Sequence, residues 1–570
     1  MPSNLFLNVI LDYPINESTV QRLYFSNPTK IIHAINNEDF KDGLKAVEEE
    51  QLKGNYVVGF LSYDLALTGY QLLFGVFTSP TYVNPATLSL PLVKLSQWTL
   101  SEDIDRYSEK IQRIKNHIKN GDCYQINYTI RANSELISGD ALSLYHQLVD
   151  CQAAKYSAYI EHNHFTVLSF SPELFFTQYQ HSIQTKPMKG TKPLHDTETL
   201  NQQINSLKES SKNQSENVMI VDLLRNDLSK IAKKGSVKTS NLFMVEPYQD
   251  ILQMTSTISA DLLEEISFHH IIEALFPCGS ITGAPKKKVM EIIGELEDTP
   301  RGLYCGAIGY LAPNNQSLFN VAIRTIIHDK ANNQLTYGVG SGVTYDSDAF
   351  DEYEEINNKI RFLSQEKPLS LFETVYLHHG SCLFWNKHFD RLTASAKALN
   401  FILPNDQHYK SISDLYPAIK DGRYRGKFIY HKNGIARWEI YNLPHHLDHY
   451  PVTFARAPIQ SKDIRINHKT TDRSLYDELL DKDGQFFDVI LWNEREEITE
   501  FTKGNIVIDI NGQLLTPPQQ SGLLPGVLRS HLLENTLIKE KVLYFDDVIN
   551  ADTLWLINSL RGWIQVNLAI

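Results

Sequence analysis

The spacing of apolar residues changes several times along the chain. Over residues 1–100 short apolar runs alternate with Pro and Gly breaks, which predicts strands with short helices; Gly59-Phe60-Leu61-Ser62-Tyr63 reads as a strand start. A helix follows. Ser101 is its expected N-cap, Ile104, Tyr107, Ile111, Ile114 and Ile118 recur at i+3 and i+4, and Gly121 can close it. Near 317–345 the period is two. Phe319, Val321, Ile323 and Thr325 share one strand face, and Gly338, Gly340 and Gly342 share a face of the next. Three alternate glycines strip side chains from a surface, so a ligand or another backbone can come close. From Asp348 to about Leu363 the pattern is helical again, with Tyr353, Ile356, Ile360 and Leu363 apolar. Gln365-Glu366-Lys367-Pro368 is a polar break, which divides the chain into domains 1–364 and 365–570 and the fold into α+β halves.

Composition narrows the function. A chain of 570 residues is too long for one core. A net charge of −13 argues against a nucleic-acid partner, so an anionic substrate would need a locally positive site or a metal. No apolar run is long enough to span a membrane, and Met1-Pro2-Ser3-Asn4-Leu5-Phe6 lacks the features of a signal peptide. Five scattered cysteines, with no CxxC pair, suit free thiols in a reducing compartment. A cytoplasmic location is expected.

Several segments carry polar residues that a core does not require. They include Gly121-Asp122-Cys123-Tyr124-Gln125-Ile126-Asn127, Ser171-Pro172-Glu173, Pro187-Met188-Lys189-Gly190-Thr191 and Glu216 through Asp227. Gly279-Ser280-Ile281-Thr282-Gly283-Ala284-Pro285-Lys286, Arg301-Gly302-Leu303-Tyr304, Ala322-Ile323-Arg324-Thr325, and Glu352, Glu355 and Lys359 follow. In this order they resemble the chorismate-utilising enzymes, a family that includes anthranilate, aminodeoxychorismate, isochorismate and salicylate synthases. The resemblance covers roughly 100–360 and implies an α/β sandwich of antiparallel sheets and helices.

Displacing the allylic hydroxyl of chorismate requires a general acid, and its two carboxylates require Arg, backbone N–H groups and a metal. The resemblance implies Glu216 and Glu355 as Mg²⁺ ligands and Glu173 as the acid. It also implies substrate contacts at Tyr304, Arg324, Gly338, Gly340 and Gly342, with lesser ones at Thr191 and Lys359. Taken alone, Glu355 and Lys359 also fit an exposed i,i+4 pair, and alternate glycines also fit bulges.

Two positions select the reaction. Isochorismate-type relatives carry a water-activating Lys where this chain has Gln125. Lys189 stands where anthranilate synthases carry Ala and aminodeoxychorismate synthases Lys; a neutral, desolvated Lys is a nucleophile. Gln253 occupies a position where relatives often carry a His tied to pyruvate elimination. Amination without elimination is therefore expected of the first half. No G-x-C-x-G elbow is present, so ammonia is expected from a separate glutamine amidotransferase subunit or from solution.

After Pro368 come Phe372-Glu373-Thr374, His388-Phe389-Asp390-Arg391-Leu392, Lys469-Thr470-Thr471-Asp472-Arg473, Ile498-Thr499-Glu500 and Asn505. Leu523 through Arg529 and Asn558-Ser559-Leu560-Arg561-Gly562 complete the set. These resemble the fold-type IV pyridoxal-phosphate enzymes, which include branched-chain and D-amino acid aminotransferases and aminodeoxychorismate lyase. The resemblance implies Lys469 as the Schiff-base lysine and Glu500 as the acid on the pyridine nitrogen. Arg391, the backbone N–H groups of Val527 and Leu528, and Ser559 would form the phosphate cup. The Gly-rich turn usual before Phe-Glu-Thr is absent, so the first strand is expected to be short or supplied by the other half.

Together the halves imply synthesis of 4-aminobenzoate from chorismate and ammonia. Two alternatives remain: an anthranilate synthase large subunit fused to a transaminase-like domain, opposed by Lys189 and Gln253, and a second half that has become an inactive docking module.

Overall fold

The computed structural model describes residues 6–84, 91–194, 199–248, 251–364, 367–415, 419, 422–443, 450–480 and 485–569. Met1–Leu5 and the Gln365-Glu366 part of the expected boundary lie outside these. The chain folds as two compact units. The first is Met1–Pro14, Arg22–Thr81 and Thr87–Pro368; the second is Leu369–Ile570 together with Ile15–Gln21 and Tyr82–Ala86.

The first unit is built on two antiparallel sheets. In one, Gln125–Ser138 pairs with Gln334–Val343, and Thr325–Asp329, Phe165–Ser171, Tyr156–His162 and Leu7–Pro14 continue the order. The other runs from Met188–Pro193 through Ile251–Asp261, Leu174–Tyr179 and Ala307–Ala312 to Lys30–Ala34. Val9, Leu11, Ile160 and Val167 of the first sheet meet Val58, Phe60 and Ile308 of the second in one buried cluster. Both sheets are also covered outside, and strands such as Tyr156–His162 are therefore buried on both faces. The helices Ile104–Lys119, Lys286–Leu296 and Ala349–Ile360 pack on one sheet, and Asn37–Leu52, Ser211–Ser229 and Phe268–Leu275 on the other. This is the expected α/β sandwich.

Local chemistry explains where elements stop. The helix Ile104–Lys119 buries Tyr107, Ile111 and Ile114, but its cap is Asp103, which accepts from the Arg106 N–H at 2.9 Å, rather than Ser101. Asp348 caps Ala349–Ile360 through the N–H groups of Phe350 and Asp351. Gly59-Phe60-Leu61 ends the strand Tyr56–Leu61 instead of beginning one. The alternating run through Thr325 is two strands, Gln316–Val321 and Thr325–Asp329, parted at Arg324, whose φ is +50°. Among the described residues no helix is long and apolar enough to cross a membrane.

In the second unit, Leu371–His378 pairs with Arg423–Tyr430, which pairs with Ala436–Asn442. Thr19, Val20 and Gln21 add a parallel strand beside Ala436, Arg437 and Trp438. A segment from near the chain start thus extends the sheet that opens with Phe372-Glu373-Thr374. Ile15, Tyr82 and Val83 pack on the core of Leu371, Phe428 and Trp438. A second sheet closes on itself through pairing of Ile498–Phe501 with both Asp488–Trp492 and Gly504–Ile510. Val452, Ile490, Ile506 and Leu556 fill it.

Candidate active sites

In the first unit the glycine strand forms a floor. A Cβ on Gly342 would lie 2.3 Å from Gln125 Nε2, 2.6 Å from Lys189 Nζ and 2.9 Å from Asn127 Oδ1; one on Gly338 would strike the Tyr304 ring at 2.2 Å. Neither position tolerates a side chain without displacing these groups. Lys359 donates to the Gly340 carbonyl at 2.7 Å and pairs with Glu355 at 2.6 Å. The i,i+4 pair allowed by the sequence therefore forms, and it is anchored to the glycine strand.

Glu173 stands between Phe165–Ser171 and Leu174–Tyr179, only 4% exposed. Burial pushes its carboxyl up to about 7, although a 2.6 Å hydrogen bond from the Ser280 hydroxyl and the nearby Lys189 charge oppose this. Lys189, on Met188–Pro193, has its ammonium destabilised by burial and by Lys359, against the attraction of Glu216, Glu355 and Glu173. Four residues assigned from sequence, Glu173, Glu216, Glu355 and Lys359, therefore each act on a fifth, Lys189. Lys359 holds Glu355 below the usual carboxylate range, while burial and Glu355 raise Glu352.

Among the described residues no three His, Cys, Asp or Glu side chains form a metal-binding group. Mg²⁺ takes one or two carboxylates with water and substrate oxygens, and a pair such as Glu216 and Glu355 fits that habit.

Arg324, in its left-handed conformation, donates to the Gln152 side chain, and Tyr337 and Tyr248 favour its charge against burial. Thr191 is exposed, and its hydroxyl donates to Gln253 Oε1 at 3.1 Å across the paired strands. Ser280 had no role assigned from sequence, and neither had Tyr248, whose buried phenol feels both Arg324 and Glu173. The Gly-Ser-Ile-Thr-Gly motif is the signal for Ser280. None marks Tyr248.

The second unit holds a cavity of about 580 Å³ lined by Arg391, Lys469, Glu500, Val527, Leu528 and Ser559 among others, which gathers every cofactor residue assigned from sequence. Lys469 follows the short helix Ile464–Asn467, and its carbonyl accepts from the Phe372 N–H at 3.0 Å. Its amine lies 4.6 Å from the centre of the Phe372 ring. Burial and the Arg391 charge pull it down to about 7. Burial pushes Glu500 up to about 8, with Tyr476 and Asn505 each donating to it at 3.1 Å. Arg391 is gripped by Glu373 at 2.9 and 2.5 Å, and His388 meets the same carboxylate at 2.7 Å; these partners hold Glu373 down at about 2. Gly526 precedes the helix Val527–Glu534, and a Cβ there would lie 1.8 Å from Asn505 Oδ1. A neutral-prone lysine, a buried acid and a helix start beside an arginine fit pyridoxal phosphate. Tyr476 and the grip of Glu373 were not assigned from sequence.

Residues 91–365 match the model of chorismate binding enzymes, and residues 370–569 that of class IV amino-transferases. Aminodeoxychorismate synthase component 1 of Escherichia coli is 39% identical over 272 residues, covering 47% of this chain and 59% of that protein. Anthranilate synthase component 1 1 of Haloarcula marismortui is 34% identical, covering 48% and 56%. The chain spans less than two thirds of the length of these relatives. Anthranilate synthase component I of Streptococcus pneumoniae shares the fold of the first unit, with a TM-score of 0.52, 22% identity, and coverage of 64% of this chain and 91% of that one. Both resemblances read from the sequence are thus met: the chain joins a chorismate binding enzyme domain, at 91–365, to a class IV amino-transferase domain, at 370–569.

Proposed function

We propose that the chain makes 4-aminobenzoate from chorismate and ammonia at two sites. The observation that carries the first step is Lys189 Nζ at the glycine strand, 2.6 Å from where a Gly342 Cβ would lie, with the buried carboxyl of Glu173 acting on its charge. Lys189 Nζ attacks the ring while Glu173 gives its proton to the departing hydroxyl, which leaves as water. Ammonia then displaces the lysine and leaves an amino group at C4. Glu216 and Glu355 would hold Mg²⁺, which supplies positive charge against the substrate carboxylate. Arg324 and Tyr304 would orient the ring, with the Gly338–Gly342 backbone close beneath it. A glutamine amidotransferase partner is the proposed ammonia source, in keeping with relatives named component 1.

The C4 amine is then the substrate of the second site. Pyridoxal phosphate supplies an electron sink there when bound. Arg391, the N–H groups of Val527 and Leu528, and Ser559 would hold its phosphate, and Glu500 its ring nitrogen. Lys469, with its amine near 7, takes the C4 proton; pyruvate leaves and the ring becomes aromatic.

Lys469→Ala in the full chain tests the division of labour. The variant should still consume chorismate, accumulate 4-amino-4-deoxychorismate and release no pyruvate, and an added independent lyase should restore 4-aminobenzoate. Pyruvate release at the parental rate refutes the assignment.

A further inference from the structure

The second cavity carries more positive charge than the cofactor assignment uses. In a chain of net charge −13, eight Lys and Arg side chains line it against two acids, Asp477 and Glu500. Most of these cations have work. Arg391 is gripped by Glu373, Arg465 pairs with Asp463, and Lys503 donates to the Phe487 carbonyl at 2.7 Å. Arg425 differs. It stands on Arg423–Tyr430 directly across from Tyr441, and its guanidinium lies 4.3 Å from the centre of the Tyr441 ring. Its Nε is buried with no hydrogen-bond partner, and none of the ion pairs among the described residues includes it.

A buried donor without a partner is costly, and an arginine in that state is best stabilised by an anion. The aromatic face fixes the plane of the guanidinium, and its paired N–H donors match a planar, two-oxygen acceptor. A carboxylate has that shape. Lys427, two residues along the strand, lines the same cavity and adds to the positive field.

We propose that Arg425, seated on Tyr441, recognises a carboxylate of the second site's substrate, so that this site selects ring amines carrying a carboxylate over neutral ones. This rests on the reading of the second site as acting on the C4 amine. Both that amine and its aromatised product keep the ring carboxylate, so Arg425 serves substrate capture and also retains product.

The test uses the full chain loaded with pyridoxal phosphate. Calorimetry compares benzoate with benzamide, which has the same ring but no charge. The parent should bind benzoate at least about tenfold tighter, the scale of one charge-assisted hydrogen-bonded pair. Arg425→Met should erase that preference and Arg425→Lys should keep part of it. Cofactor absorbance and chorismate consumption should not change in either variant, which separates loss of the subsite from loss of the fold. With the C4 amine, Arg425→Met should raise KM about 10- to 100-fold and leave kcat within a few-fold, since the contact is made equally in ground and transition states. A parent with no benzoate preference, or an Arg425→Met chain that retains it, overturns the proposal. If the parent releases no pyruvate yet shows an Arg425-dependent preference for benzoate, the lyase reading falls and the subsite stands.

Discussion

Gly342→Ala probes the first site with one methyl group. The residue is not in a left-handed conformation, so alanine suits its backbone. The added Cβ would begin 2.6 Å from Lys189 Nζ and 2.3 Å from Gln125 Nε2. Ordinary contact starts near 3.4 Å, so the lysine amine must retreat by about 0.8 Å. A displacement of about 1 Å at a reacting atom costs on the order of 10²-fold in rate. Chorismate consumption, followed at saturating Mg²⁺ and ammonia, should therefore fall about 30- to 100-fold. The clash meets the ends of flexible side chains, so the melting temperature should move by only a few degrees. Pyruvate release from added 4-amino-4-deoxychorismate should be unchanged. A Gly342→Ala chain that consumes chorismate at the parental rate would show that Lys189 needs no particular place, and the nucleophile role would be refuted.

Glu216→Gln and Glu355→Gln should each raise the Mg²⁺ concentration for half-maximal chorismate consumption at least tenfold, because one of two compensating charges is lost; unchanged titration curves in both would reject the metal assignment. The pH profile of the same step follows from Glu173 and Lys189. The acid must carry its proton and burial holds its carboxyl near 7, so the rate should decline as pH rises above about 7. The nucleophile must be neutral and its amine is depressed, so the rate should also decline at lower pH. A profile flat from pH 6 to 9 under conditions where chemistry limits the rate would contradict both roles.

Much of this architecture was written in local patterns. The Tyr107-Ile111-Ile114 stripe, the helical pattern from Asp348 and the alternate glycines each depend on neighbours a few residues away, which periodicity detects. What escaped depends on tertiary placement. Arg324 interrupts an unbroken alternation because its backbone turns left-handed, and nothing in the apolar pattern marks that turn. Thr19–Gln21 lies more than four hundred residues from Ala436–Trp438, so its pairing there leaves no local trace. The same holds for the site. Motif order exposed Glu173, Lys189 and Lys469, whereas Ser280 on Glu173 joins distant segments, and Tyr476 on Glu500 and Arg425 on Tyr441 depend on packing and strand register that motif order does not carry.

On the proposed function, one chain carries chorismate through to 4-aminobenzoate. Product analysis tests it most directly: the intact chain, loaded with pyridoxal phosphate, is incubated with chorismate, Mg²⁺ and ammonia, and the products are separated and identified by mass. 4-Aminobenzoate and pyruvate should form in equal amounts. Anthranilate as the aromatic product, or isochorismate in place of any amine, would contradict it.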